Sequence, residues 1–122
     1  MTAPEMGFPT PVLITPHDLA GRLADVQAGR VVLLDVRTEL EWRIDGHISG
    51  ATWLPMDQVE ARVQQEVPPE AEVIVYCAHG VRSDVVARYM AWLGYDHVGD
   101  LQGGLANWLA AGLPVDRGLP PA

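Results

Sequence analysis

Apolar residues along this 122-residue chain fall in short blocks, and the spacing inside the blocks alternates between two kinds. Residues 31–36 (VVLLDV) and 72–77 (EVIVYC) are near-continuous apolar runs, rich in β-branched residues. Runs without polar alternation predict strands covered on both faces, as in a parallel sheet. Shorter strand candidates are residues 51–55 (ATWLP) and residues 97–102 (HVGDLQ), and a short apolar stretch opens at Val12.

Between these runs the spacing becomes helical. Thr15 is a candidate N-cap, Pro16 suits the first helical position, and Leu19, Leu23 and Val26 recur until Gly29. A short helix is predicted over TELEWR, followed by the turn-rich connector DGHISG. Val59, Val63 and Val67 form one stripe of a longer helix. The segment RSDVVARYMAWLG reads as an amphipathic helix with Ser83 as N-cap and Val85, Tyr89, Trp92 and Leu93 facing inward. Asp84 and Arg88 have the spacing of an i,i+4 ion pair. A last helix carries Leu105, Trp108 and Leu109 on its core face and stops at Gly112 and Pro114. Strands alternating with helices predict an α/β fold with a mainly parallel sheet and right-handed crossovers. The expected organisation is an extension over residues 1–11, one domain over 12–115 and a tail over 116–122. The four tryptophans, Trp42, Trp53, Trp92 and Trp108, are expected in core or rim packing.

Composition narrows the function. The formal net charge of −8 argues against general binding to nucleic acid or anionic membranes. All eight basic residues are arginine. A single cysteine forms no internal disulfide, no basic-then-apolar leader opens the chain, and no apolar run reaches bilayer length, so a soluble cytoplasmic protein is expected. No zinc-type spacing of His and Cys and no glycine-rich nucleotide fingerprint occurs, so neither metal nor cofactor is expected.

The lone cysteine carries the chemistry. Cys77 stands at the carboxyl end of a predicted strand, where open α/β sheets gather functional groups. Ala78, His79, Gly80, Val81 and Arg82 then lead into a helix. Successive backbone N–H groups, a helix N-terminus and an arginine all favour a thiolate over a thiol. Gly80 would give the loop its backbone geometry. Arg82 would hold the loop and attract an anionic donor. His79 is either a contributor of positive charge or an exposed loop residue. Asp35 and Arg37, on the same sheet edge, either orient the loop or form a stabilising ion pair. His47 reads as a structural histidine.

CAHGVRS resembles the active-site loop of the rhodanese-like sulfurtransferases. LLDVRTELEWRIDGHISGA is similar to that family's Asp-x-Arg segment followed by Gly-His-Ile-x-Gly-Ala, and GYDHVGDLQGGLANW to its closing segment. The resemblance runs from about Ile14 to Gly112. It implies a central five-stranded parallel sheet flanked by helices and a double displacement. In that reaction the Cys77 thiolate takes sulfur from a donor such as thiosulfate. The resulting persulfide then passes sulfur to cyanide, a thiol or a partner protein. With no second cysteine to resolve the persulfide, turnover needs an external acceptor. Several thiosulfate-using members carry a basic residue directly after the cysteine, where this chain has Ala78. Rival readings are a non-catalytic interaction module, a protein-to-protein sulfur carrier, and a cysteine-based phosphatase or arsenate reductase. The last normally has a loop one residue longer.

Overall fold

The computed structural model describes residues 10–120. Five strands, β1 (Val12–Ile14), β2 (Val31–Asp35), β3 (Thr52–Trp53), β4 (Glu72–Tyr76) and β5 (His97–Leu101), form one sheet in the order β1-β5-β4-β2-β3. All four strand pairings are parallel. The two apolar runs therefore lie side by side in the centre, Leu33 opposite Ile74 and Asp35 opposite Tyr76. After β2 the chain adds a strand on one side, and after β4 it adds one on the other. The β2/β4 junction is thus the point where strand order reverses, the usual place for a site in an open α/β sheet.

Among the described residues five helices lie between strands, α1 (Pro16–Ala20), α2 (Leu23–Gln27), α3 (Glu39–Asp45), α4 (Met56–Glu66) and α5 (Val81–Leu93), and a sixth, α6 (Gly104–Ala110), follows the last strand. Side chains alternate across each strand, so the sheet has two apolar faces and two cores. Val73, Val75 and Cys77 meet Val59 and Val63 of α4 and Val86, Ala87 and Met90 of α5 on one face. Ile74 and Tyr76 meet Leu19, Val26, Leu105 and Trp108 on the other.

Four helical expectations need correction. The single helix expected from Pro16 onward is two, because the chain turns at Gly21 and Arg22 and restarts at Leu23. In α5 the buried face is Ser83, Val86, Ala87 and Met90, whereas Val85 and Trp92 are 51% and 55% exposed. Tyr89 and Leu93 are only partly covered. Its apolar residues spread over about half of the helix circumference, so periodicity did not select one narrow face; contact with β4 and β5 does. Ser83 does not cap it, since Gly80 occupies the N-cap. In α6, Leu105 and Trp108 are buried but Leu109 is exposed.

The end of β2 is fastened by a fully buried ion pair. Asp35 accepts from the Arg37 backbone N–H at 3.0 Å and from its guanidinium at 3.0, 3.2 and 2.7 Å. Arg37 also donates to the Gly46 carbonyl at 2.6 Å, which binds the DGHISG connector to the sheet edge. Burial opposes the charge on Arg37, and Asp35 more than offsets it, leaving the guanidinium's pKa raised. The tail expected from Asp116 onward begins on the fold, with Asp116 and His47 exchanging backbone hydrogen bonds at 2.8 and 2.9 Å. Among the described residues no helix is long and apolar enough to cross a membrane.

Removing one member of such a pair strands a buried charge. Asp35→Ala should therefore cost about 3–5 kcal/mol in urea unfolding, far more than an exposed-pair mutation such as Asp84→Ala. Equal losses in the two variants would contradict this assignment.

Candidate active site

β4 ends at Tyr76, and the next residue is Cys77, 1% exposed. The sulfur is buried, yet its surroundings are polar. Sγ accepts from the Gly80 N–H at 3.1 Å and from the Ser83 N–H at 3.3 Å. The thiol in turn donates to the Ser83 hydroxyl at 3.3 Å. This curl of the chain depends on Gly80, whose φ of 103° lies in the left-handed region that side chains avoid.

The loop is held from behind by α6. Leu105 and Ala106 donate their N–H groups to the carbonyls of Cys77 and Ala78 at 2.9 and 3.0 Å. Those carbonyls are thereby taken up on the α6 side, while the N–H groups of Gly80 and Ser83 face the sulfur. So close an approach leaves no room for a side chain. A Cβ on Gly104 would sit 2.6 Å from the Cys77 carbonyl oxygen and the Ala78 carbonyl carbon. That contact is the physical reason for the second glycine of LQGG.

Arg82 has a different setting from the one expected. Both terminal nitrogens are spent on Glu41, each at 2.7 Å, so the guanidinium ties α5 to α3 and does not stand free to draw in an anion. Glu41 also completes a capping box with Thr38 at the start of α3. The Arg82 hydrogen bonds, against some opposition from burial, bring its carboxyl down to about 2. His79 and Val81 are exposed, and Ala78 is half-buried. Asp35 and Arg37 lie at the end of the strand beside Cys77, holding one another. His47 stacks on Trp42 at 3.8 Å with its Nδ1 buried and unpartnered, and burial lowers its pKa.

Three residues of this neighbourhood were not singled out from the sequence. Glu41 reads there as an ordinary surface residue of α3, although its spacing from Thr38 marks a capping box. Asp100 is 2% exposed on β5, and Tyr76 donates toward Asp35 while its hydroxyl accepts the Ile48 N–H. Both lie inside apolar strands, where spacing carries no sign of them. Two shallow depressions flank the loop. One, of about 460 Å³, is bordered by His79, Gly80, Val85 and Asp100. The other, of about 490 Å³, is bordered by Arg37, Trp53, Met56 and Arg82. Among the described residues no group of three or more His, Cys, Asp or Glu side chains could hold a metal ion.

Chemically, the arrangement places the Cys77 sulfur under fixed N–H donors, a setting that stabilises negative charge without reorganising. The family model described as "Rhodanese-like domain" matches residues 15–111. The chain is 37% identical to a sulfurtransferase of Allochromatium vinosum over 102 residues, 84% of this chain and 92% of that protein. It is 36% identical to a thiosulfate sulfurtransferase of Actinobacillus succinogenes over 91 residues, 75% of this chain and 80% of that protein. A rhodanese-related protein of Thermoplasma volcanium superposes with a TM-score of 0.75 at 27% identity, covering 86% of this chain and 97% of the other.

Two outcomes follow for the loop's supports. The Glu41 carboxylate titrates below its unfolded range, so its stabilising contribution is present above pH 4.5 and lost as pH falls through about 2. Glu41→Gln should lower the Tm at pH 7, with the gap from wild type narrowing steadily below pH 4.5. A gap independent of pH would refute the ion pair as its cause. Gly104→Ala should destabilise well beyond Gly112→Ala. The latter adds a Cβ at φ 77° in open space and meets only the left-handed cost of about 1–2 kcal/mol.

Proposed function

This chain belongs to the rhodanese-like domain family, and on that premise we propose that it is a sulfurtransferase working through a persulfide on Cys77. The Cys77 thiolate attacks the outer sulfur of a sulfane donor. With thiosulfate the S–S bond breaks, sulfite departs with the electron pair, and the enzyme keeps one sulfur atom. A thiophilic acceptor then attacks that outer sulfur, and Cys77 leaves as thiolate. Cyanide would yield thiocyanate; a thiol would yield a new persulfide. This is covalent catalysis that divides one transfer into two easier ones.

The observation that carries the reading is the pair of N–H donors on Cys77 Sγ, from Gly80 and Ser83. A thiol that served only to fill the core would not need them. Ala78, His79 and Val81 would add their N–H groups around the outer sulfur of the persulfide. Arg82, engaged by Glu41, would keep the loop in shape, and the Asp35–Arg37 pair would anchor the strand beside it. A free thiol nucleophile also suits a reducing compartment such as the cytoplasm.

One observation favours a particular donor class. The loop's only arginine is neutralised by Glu41, Ala78 brings no charge, and the whole chain is strongly acidic. That setting suits a neutral or protein-borne persulfide better than the thiosulfate dianion. Protein-to-protein sulfur carriage is the corresponding second reading, with the same chemistry at Cys77.

Intact mass spectrometry tests both readings. Exposure to thiosulfate or to a cysteine persulfide donor should add one sulfur atom, removable by cyanide and absent in Cys77→Ser. Labelling by the persulfide donor at much lower concentration than thiosulfate is the outcome expected for the carrier. No adduct from either donor, with Cys77 demonstrably reduced, would reject sulfur transfer and leave an interaction module.

A further inference from the structure

Two aspartates are buried among the described residues, and their surroundings differ sharply. Asp35 holds Arg37 through four hydrogen bonds. Asp100 has no such cation: one carboxylate oxygen is buried without any hydrogen-bond partner, and the carboxylate takes a hydrogen bond from Ser83.

The register explains why these groups meet. Asp100 pairs with Val75, and Cys77 lies two residues beyond Val75, so all three side chains rise on the sheet face covered by α5. Ser83, in the first turn of α5, is lowered between them. Its backbone N–H and its hydroxyl are both within 3.3 Å of Cys77 Sγ. A serine hydroxyl has one hydrogen and two lone pairs. While Cys77 is a thiol there is no conflict: the S–H donates to Ser83, and Ser83 donates onward to Asp100. Once Cys77 is a thiolate, both neighbours of Ser83 are anions and only one can receive its hydrogen.

We propose that Asp100 is a positioning residue for the sulfur site: its charge decides whether the single Ser83 hydroxyl hydrogen points to the carboxylate or to Cys77 Sγ, and hence how well Sγ bears negative charge. The proposal rests on the reading of Cys77 as the nucleophile. Sγ carries that charge twice in the reaction, when the thiolate attacks the donor and when it leaves the persulfide. With Asp100 ionised, the thiolate must rely on the N–H groups of Gly80 and Ser83. With Asp100 protonated, its O–H donates to the Ser83 oxygen and Ser83 donates to sulfur. The exchange moves no atom except hydrogens and needs no other reactant.

The charged groups around Asp100 are few. Asp84 and Arg88 act on it from α5, with opposite signs. His79, in the loop, borders the same depression. On the neighbouring strands its register partners are Leu13 and Val75, both apolar. Burial pushes the carboxyl up to about 6, against the Ser83 hydrogen bond, with Asp84 adding to the rise and Arg88 opposing it. The switch in Ser83 direction therefore falls within the range where cells operate.

The single cysteine makes the test direct. Ultraviolet absorbance of the thiolate, with Cys77→Ser subtracted, reads its ionisation against pH without any reagent or sulfur donor. Asp100→Asn should move the midpoint to lower pH by at least about half a unit, roughly a threefold gain in thiolate on the acid side. In a Ser83→Ala background the same substitution should lose most of that shift. Superimposable wild-type and Asp100→Asn curves from folded proteins would overturn the proposal. So would a shift fully retained without the Ser83 hydroxyl, which would mean a through-space charge effect alone. Should Asp100→Asn fail to fold, wild type and Ser83→Ala decide. A departure from a single-site curve near pH 6, present only in wild type, supports the proposal, and its absence overturns it. Because no donor enters this measurement, its failure is separable from a failure of sulfur transfer.

Discussion

Backbone carbonyls withdrawn from water must find donors, and at the start of the Cys77 loop that requirement shapes the site. The N–H groups of Leu105 and Ala106, in the first turn of α6, take up the carbonyls of Cys77 and Ala78. With those carbonyls drawn backward, the loop can turn N–H groups onto the sulfur. Gly104, the first residue of α6, follows from the same constraint, since its φ is positive and it lies against the loop backbone. The closing segment of the chain is thus part of the sulfur site without touching the sulfur.

Charge within this frame is handled locally. The fully buried ion pair Asp35–Arg37 fastens the end of β2 and the connector after α3. Arg82 fastens the start of α5 to α3 through Glu41. Both guanidinium groups are thus engaged by carboxylates of the protein itself. Asp100 is the exception, a buried carboxylate whose nearest polar neighbour also serves the sulfur.

Much of the architecture was legible before any coordinates. Unalternating runs around Leu33 and Ile74 announced central parallel strands, and Cys77 could be placed at a strand's carboxyl end because the apolar run stops there. The helix stripe of Val59 and Val63 held for the same reason: polar residues fill the opposite face. It failed in α5, where Val85, Val86, Tyr89, Met90, Trp92 and Leu93 spread over about half of the helix circumference and single out no narrow stripe. There the burial of Ser83 beside Cys77, rather than hydrophobic periodicity, accompanies the observed face.

The sequence by itself determined the order of strands and helices, the parallel sheet and the loop that carries the cysteine. These depend on local properties: residue type, spacing, and the conformational freedom of glycine. Only the tertiary structure decided the pairings that give the loop its chemistry: Arg82 with Glu41, Cys77 with Ser83, and Ser83 with Asp100. The first and last join residues 41 and 17 positions apart, and no local periodicity encodes them. They arise because β2, β4 and β5 end together at one edge of the sheet, which gathers side chains from two strand ends and two helices into one neighbourhood.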